Sequence, residues 1–296
     1  MIWRFALAIR EKLAIALLIA LTVWPADSEA RAERPAELLE RYRPLLRYDA
    51  QEEFYAQPVS LPPASAEVLR GDRVFGHLAR EDGDIWLQYW LFYAYNPQDR
   101  EPFGTGRHEG DWELVQLRLG GDGEPDLATL SQHSWAEGCA ADPLELSEAG
   151  RKRGPVVYVA NGSHANFSAP GDYGRPFPDP TDEAGGDGRS VRPAVSEIDD
   201  QSPGWVSYPG PWGETEAGFV PGESPSPPGP RFQESRAWSE PSSYHQRVAR
   251  ECGSGAPGRP AQTAALAIAA ALALAGLLLA LRRRRALRQN PVDDRS

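Results

Sequence analysis

Alternation of apolar and polar residues, broken by Gly, Pro and Asp, dominates the chain between residues 45 and 160. That pattern predicts short strands rather than helices. The predicted strands are Leu45–Tyr48, Arg73–Leu78, Ile85–Tyr95, Trp112–Leu119, Thr129–Trp135 and Val156–Ala160. The run Ile85-Trp86-Leu87-Gln88-Tyr89-Trp90-Leu91-Phe92-Tyr93 is apolar on both faces and should be a central, doubly covered strand. Helical patterns are confined to Arg34–Arg43, stopped by Pro44, and to weak stretches near 143–149 and 242–250. Residues 170–230 are rich in Gly, Pro and Asp and read as loop, with an edge strand around Gly204–Tyr208. The expected fold is mainly β: an antiparallel β-sandwich with long loops and few short helices, plus one C-terminal transmembrane helix.

The ends carry a different pattern. Arg4, Arg10 and Lys12 precede the apolar run Leu13–Trp24, and Ser28-Glu29-Ala30 follows it. A basic start, a short apolar run and a small-residue site predict a signal peptide over residues 1–30, with an uncleaved anchor helix as the alternative. Residues 264–281 contain no charge and no proline, and as a helix they would span about 27 Å, close to a bilayer's hydrocarbon core. Arg282-Arg283-Arg284-Arg285 then places the tail in the cytoplasm. The expected organisation is a signal peptide (1–30), an extracytoplasmic domain (31–252), a linker (253–262), a transmembrane helix (263–281) and a basic tail (282–296). The protein would sit in the cell membrane with a single pass.

Composition narrows the partners. The chain is 41 % hydrophobic and 25 % charged, ordinary for a folded protein, and its net charge is −11. The basic tail hides a still more acidic outward domain, which would repel a phosphate backbone, so no nucleic-acid partner is expected. The two cysteines, Cys139 and Cys252, both lie in that domain. An oxidising compartment permits a bridge between them, and free or intermolecular thiols are the alternative. Two thiolates are too few for a zinc site built of cysteine alone.

Candidate chemistry concentrates in Arg107-His108-Glu109-Gly110-Asp111-Trp112-Glu113. On a strand, Glu113 lines up with Val115, Leu117 and Leu119, and Asp111 precedes it on the same face. Carboxylates heading an apolar stripe are costly unless something neutralises them. His108, at the turn before the strand, could reach the same place. One imidazole with two or three carboxylates suits a hard divalent cation, Mg²⁺ or Ca²⁺ first. The alternative is pairing of Asp111 and Glu113 with arginines such as Arg107 or Arg118. His133 lies at the end of one predicted strand and His164 directly follows another, where sites are commonly built; both also fit as hydrogen-bonded structural residues. Neither G-x-S-x-G nor H-E-x-x-H occurs.

An ordered series of blocks resembles the vacuolar protein sorting-associated protein 62-related family. The blocks are Tyr42-Arg43-Pro44-Leu45-Leu46-Arg47-Tyr48-Asp49 with Glu53-Phe54-Tyr55, Gln88-Tyr89-Trp90-Leu91-Phe92-Tyr93, His108-Glu109-Gly110-Asp111-Trp112-Glu113, Gln132-His133-Ser134, Gly162-Ser163-His164-Ala165-Asn166, Tyr208-Pro209-Gly210-Pro211-Trp212-Gly213 and Ser224-Pro225-Ser226-Pro227-Pro228-Gly229-Pro230. More distantly, the His108–Glu113 block is similar to the Gly-His-Arg-His-Asp-Trp-Glu heptapeptide of the necrosis-inducing cytolysins. That likeness implies a cation held by His108, Asp111 and Glu113, with Asp99 as a further acidic ligand. Gly110 and Arg107 depart from the heptapeptide. Glu109, His133 and His164 are the expected ligand-contacting or supporting residues. Three functions stay open. The first is a membrane-anchored module that uses its cation to bind a sugar, lipid head group or other polar surface ligand. The second is a metal-dependent hydrolase, and the third a structural envelope protein without a ligand.

Overall fold

The computed structural model describes residues 34–254, except 60–68, 99–105, 142–143, 150–151, 176–178, 214–225 and 234. The signal-like start, the segment 263–281 and the basic tail lie outside the described residues. Among the described residues, no helix is long and apolar enough to cross a membrane.

Helix α1 (Pro35–Arg41) is followed by β1 (Leu45–Tyr48), β2 (Arg73–Glu81), β3 (Asp84–Asn96) and β4 (His108–Leu119). Next come β5 (Pro125–Gln132), β6 (Trp135–Ala140), β7 (Leu146–Ala149) and β8 (Lys152–Val159). Short strands β9 (Asn166–Phe167), β10 (Gly171–Tyr173), β11 (Asp182–Ala184), β12 (Ser190–Val191) and β13 (Ala194–Glu197) precede α2 (Pro241–Val248) and β14 (Ala249–Glu251). One sheet runs β13-β2-β3-β4-β5-β6-β14; a second runs β12-β1-β8-β7, with β9 on β8. Leu87, Tyr89, Leu91, Val115 and Leu117 of the first meet Leu46, Tyr48, Val157 and Val159 of the second, and that shared core makes the sandwich.

Strand β3 is central, as its unbroken apolar run required, and its other face carries a second core. Trp90 and Phe92 there meet Trp112, Leu114, Trp205, Trp212, Trp238 and Tyr244. Burial of large aromatic surface on that face is what docks Trp205, Trp212, Trp238 and Tyr244 onto the sheet.

Several expectations change. The sheets are mixed, because β1–β8, β13–β2 and β14–β6 pair in parallel. The weak helix near 143–149 is strand β7. The edge strand around Gly204–Tyr208 is a 3-10 turn, Gly204–Ser207, that buries Trp205 and Val206. The 170–230 loop holds β10 to β13. Cys139 and Cys252 form a disulfide across 113 residues of chain, which fastens the end of β14 beside β6.

Candidate functional site

The motif opens β4 itself: His108 pairs with Asn96 and Asp111 with Tyr93 across the antiparallel β3–β4 ladder. This differs from the expected turn before a strand. Gly110 adopts φ +64°, and an added Cβ would meet the Trp212 carbonyl oxygen at 3.0 Å. Glycine adopts that conformation without steric cost, and its missing Cβ makes room for the Trp212 backbone against the strand. Beyond Gly110 the alternation is regular. Trp112 and Leu114 enter the aromatic core, while Val115, Leu117 and Leu119 enter the sandwich core. Asp111 and Glu113 therefore share the sandwich side, as the pattern predicted, and both are buried.

Each acid is answered differently. His164 Nδ1 donates to Asp111 Oδ2 at 2.8 Å, and Asn96 Nδ2 donates to the same oxygen at 3.1 Å. His164 is fully buried, stacked on Tyr93 with ring centroids 3.8 Å apart, and its Nε2 lies 3.6 Å from Glu52 Oε1. Glu52 in turn accepts from the backbone amides of Phe54 and Gly162 at 2.6 and 2.7 Å. Burial alone would strip the proton from His164. The hydrogen bonds and charges of Asp111 and Glu52 outweigh it and push the imidazole up to about 9. Burial likewise opposes charge on Asp111 and Glu52, but the His164 partnership wins and lowers both. Glu52–His164–Asp111 is thus a buried cation between two carboxylates.

Among the described residues, Glu113 is met by a hydroxyl rather than by an imidazole. Ser131 Oγ donates to its Oε2, yet burial, then the Asp111 charge beside it, raise its carboxyl well above the ordinary range. Of the two anticipated arginines, Arg118 binds Asp126 instead, at 2.9 and 3.0 Å. Asn166 Nδ2 reaches Ser131 Oγ at 3.4 Å, while Asn166 Oδ1 is buried without a hydrogen-bond partner.

A third arrangement stands alongside. His133, at φ +57° in the turn between β5 and β6, donates from Nε2 to both oxygens of Asp182 at 3.2 Å. Asp182 is buried and also accepts from Gln98 Nε2 at 3.1 Å, with Arg175 Nε 3.8 Å away. Burial disfavours its charge, but His133 and Arg175 hold its carboxyl below the usual range. Where β4 runs past the end of β5, a cleft of about 370 Å³ opens; Trp112, Glu113, Ser131, His133, Ser134 and Tyr244 are among its lining residues.

The structure thus brings Asp111, Glu113 and His164 together and places His133 at the adjoining cleft. His108 is half-buried, with Nδ1 3.0 Å from the Gly110 carbonyl oxygen, and its positive form favours the charge on Asp111. Glu109 packs instead against Gly213. Asp99 lies outside the described residues. Among the described residues, Glu137, Cys139 and Cys252 are the one set of three potential metal donors within 4.8 Å of one another, and their sulfurs are joined to each other. Glu52, Asn96, Ser131, Asp182 and Arg175 are functional-site neighbours that sequence reading did not find. Glu52 adjoins the Glu53-Phe54-Tyr55 block of the resemblance, and Asp182 opens a Gly- and Asp-rich stretch that reads as loop.

Residues 85–175 match the family model of vacuolar protein sorting-associated protein 62, so over that span the resemblance drawn from the sequence holds. A search of curated proteins finds no match. Similar solved structures include NLPPya in complex with glucosamine, at 14 % identity and TM-score 0.39 over 77 % of this chain and 96 % of that one. NLPPya in complex with mannosamine gives 13 %, 0.40, 77 % and 96 %. Necrosis and Ethylene inducing Protein 2 from the causal agent of cocoa's Witches Broom disease gives 15 %, 0.33, 56 % and 74 %. At that overlap they fix neither site nor ligand here.

Proposed function

We propose that this chain is a membrane-anchored, extracytoplasmic binding module. In this reading a divalent cation at Asp111 and Glu113 helps hold a polar surface ligand, a sugar or lipid head group, in the adjoining cleft. The observation that carries it is the unequal treatment of two neighbouring buried acids. Asp111 has a cation in His164, whereas Glu113 is left to a proton (its carboxyl raised well above the usual range by burial and by Asp111). A hard divalent ion would replace that proton and suits oxygen donors. What supports it is the kind of donor nearby: His164 and Asn96 both donate to Asp111 Oδ2, and Asn166 Oδ1 is a buried acceptor without a hydrogen-bond partner among the described residues. His108 and Asp99 would complete the set, His108 by turning from the Gly110 carbonyl. The bound ion would supply Lewis acidity and ligand orientation, while the chain supplies shape and polar contacts.

Binding is preferred to hydrolysis because the Ser131 hydroxyl at the cleft is committed, donating to Glu113 and accepting from the Leu114 amide at 2.7 Å. The test is retention of the detergent-solubilised protein on a panel of immobilised glycans and phospholipids, with and without a chelator. Cation-dependent retention that Asp111→Asn abolishes supports the reading. Chelator-insensitive retention, or none on any surface, contradicts it.

A further inference from the structure

We propose that Cys139, Cys252 and Glu137 make up a second metal site, one that forms when their disulfide is reduced and then takes Zn²⁺. The inference is independent of the cation at Asp111 and of the cleft.

Strand pairing assembles the three donors. Glu137 and Cys139 stand two residues apart on β6, so both side chains leave the same face. The parallel partner strand β14 sets Glu251 opposite Gly138 and so delivers Cys252 beside them. A carboxyl oxygen and two sulfurs then lie within 4.8 Å of one another. A disulfide needs no acid next to it, and an apolar residue would fill such a space at less cost. Glu137 is nonetheless fully buried there, and the Ser168 amide donates to its Oε2 at 2.9 Å. Ser168 also touches the other end of the group, with Oγ 3.5 Å from Cys252 Sγ. The carboxyl is thereby fixed next to the sulfurs.

Two thiolates and a carboxylate, with water in the fourth position, are a tetrahedral zinc set. Thiolate donors favour zinc over the hard ions that suit Asp111 and Glu113. Zinc-bound sulfurs stand about 3.8 Å apart, against about 2 Å in a disulfide. Strand β14 has three residues and lies at the sheet's edge, where local opening costs least.

Entry is through Cys252, which is half-buried while Cys139 is fully buried. A thiolate of a reducing dithiol, the class that thiol–disulfide oxidoreductases carry, attacks Cys252 Sγ. A new S–S bond forms there, the Cys139–Cys252 bond breaks, and Cys139 leaves as thiolate. The reductant's second thiolate then closes on its first sulfur and releases Cys252. Two electrons pass to the cysteine pair, the reductant ends as its own disulfide, its two protons go to solvent, and Zn²⁺ takes both thiolates. Without metal, two thiolates beside an acid in a buried place are costly. Zinc removes that cost, so metal capture and reduction favour each other.

The full-length protein in detergent, reduced with a phosphine under argon and desalted, is titrated with Co²⁺ and then with Zn²⁺. The expected result is a bound cobalt with thiolate-to-metal charge-transfer absorption in the near ultraviolet, bleached by zinc, and no such band before reduction. Cys139→Ser and Cys252→Ser should each lose most of the band. Glu137→Gln, which keeps an acceptor for the Ser168 amide, should keep a band but bind cobalt at least about tenfold more weakly, the low end of what losing a supporting partner costs a metal site. Absence of the band in reduced wild type overturns the inference, and so does equal cobalt affinity in wild type and Glu137→Gln. A band that survives unchanged in Cys252→Ser overturns it too, and that comparison stands whether or not Glu137→Gln folds.

Discussion

The two faces of β4 bury polar residues in opposite ways. On the aromatic face, His77, Gln88, Gln116 and Thr129 sit at successive paired positions across β2, β3, β4 and β5. His77 Nδ1 lies 2.9 Å from Gln88 Oε1; Gln88 Nε2 donates to Gln116 Oε1 at 3.1 Å, and Gln116 Nε2 to Thr129 Oγ1 at 3.3 Å. The row also grips the covering segment, since Gln88 and Gln116 donate to the carbonyls of Ala237 and Pro241, and Thr129 Oγ1 lies 2.9 Å from His245 Nδ1. Every group is neutral and answered within the protein. On the sandwich face, Asp111 and Glu113 are both acidic, and only the first has an internal cation. A buried polar row that satisfies itself is architecture. A buried acid whose charge its surroundings disfavour is a place where something else can bind.

The largest effect is expected where two buried carboxylates lose the imidazole between them. His164→Leu removes the partner that Asp111 and Glu52 share and should cost roughly 3–5 kcal/mol of unfolding free energy. Denaturant titration of the purified protein measures it; a loss below about 1 kcal/mol would mean that the imidazole is not the charge holding the two acids.

Next comes the neutral row. Gln116→Leu strands Gln88, Thr129 and the Pro241 carbonyl, and should cost roughly 1–3 kcal/mol. Since it touches neither acid, cation binding should persist. A variant that lost cation affinity as well would show that the two faces are coupled.

Glu113→Gln should be the mildest without metal, within about 1 kcal/mol of wild type, because burial and the neighbouring Asp111 already disfavour the charge it removes. With saturating Mg²⁺ or Ca²⁺, wild type should gain thermal stability and Glu113→Gln should not, because an ion stabilises only the state that binds it.

The pH dependence sharpens the contrast further. His164 is raised from its ordinary 6.5 to about 9, so its contribution is complete below about 6.5 and fades as pH rises through about 9. Asp111 and Glu52 are lowered, so theirs is present above the ordinary carboxylate range and fades as pH falls below it. Wild-type stability in metal-free buffer should decline between pH 6.5 and 9 more steeply than that of His164→Gln. Parallel slopes would deny the buried imidazolium.

Much of this architecture was legible because alternation is a local signal. The β1 range, the core of β3 and the side on which Asp111 and Glu113 lie follow from spacing alone. The parallel pairing of β1 with β8 was not legible, since Leu45 and Val156 meet across more than a hundred residues and nothing local specifies it. His164 could be suspected from its place after a buried strand, but its second carboxylate, Glu52, comes from a loop where an acid normally faces water. Asp182 hid for the same reason. The Gly204–Tyr208 stretch misled because its aromatic residues suit a strand, whereas a 3-10 turn lets Trp205 reach the aromatic core.

Isothermal titration of Mg²⁺ and of Ca²⁺ into the purified protein tests the central claim most directly. The account predicts one site in the wild type, lost in Asp111→Asn and in Glu113→Gln and retained in Gln116→Leu. No heat of binding in the wild type at millimolar ion, or binding that survives in the Asp111→Asn, Glu113→Gln double variant, would contradict it.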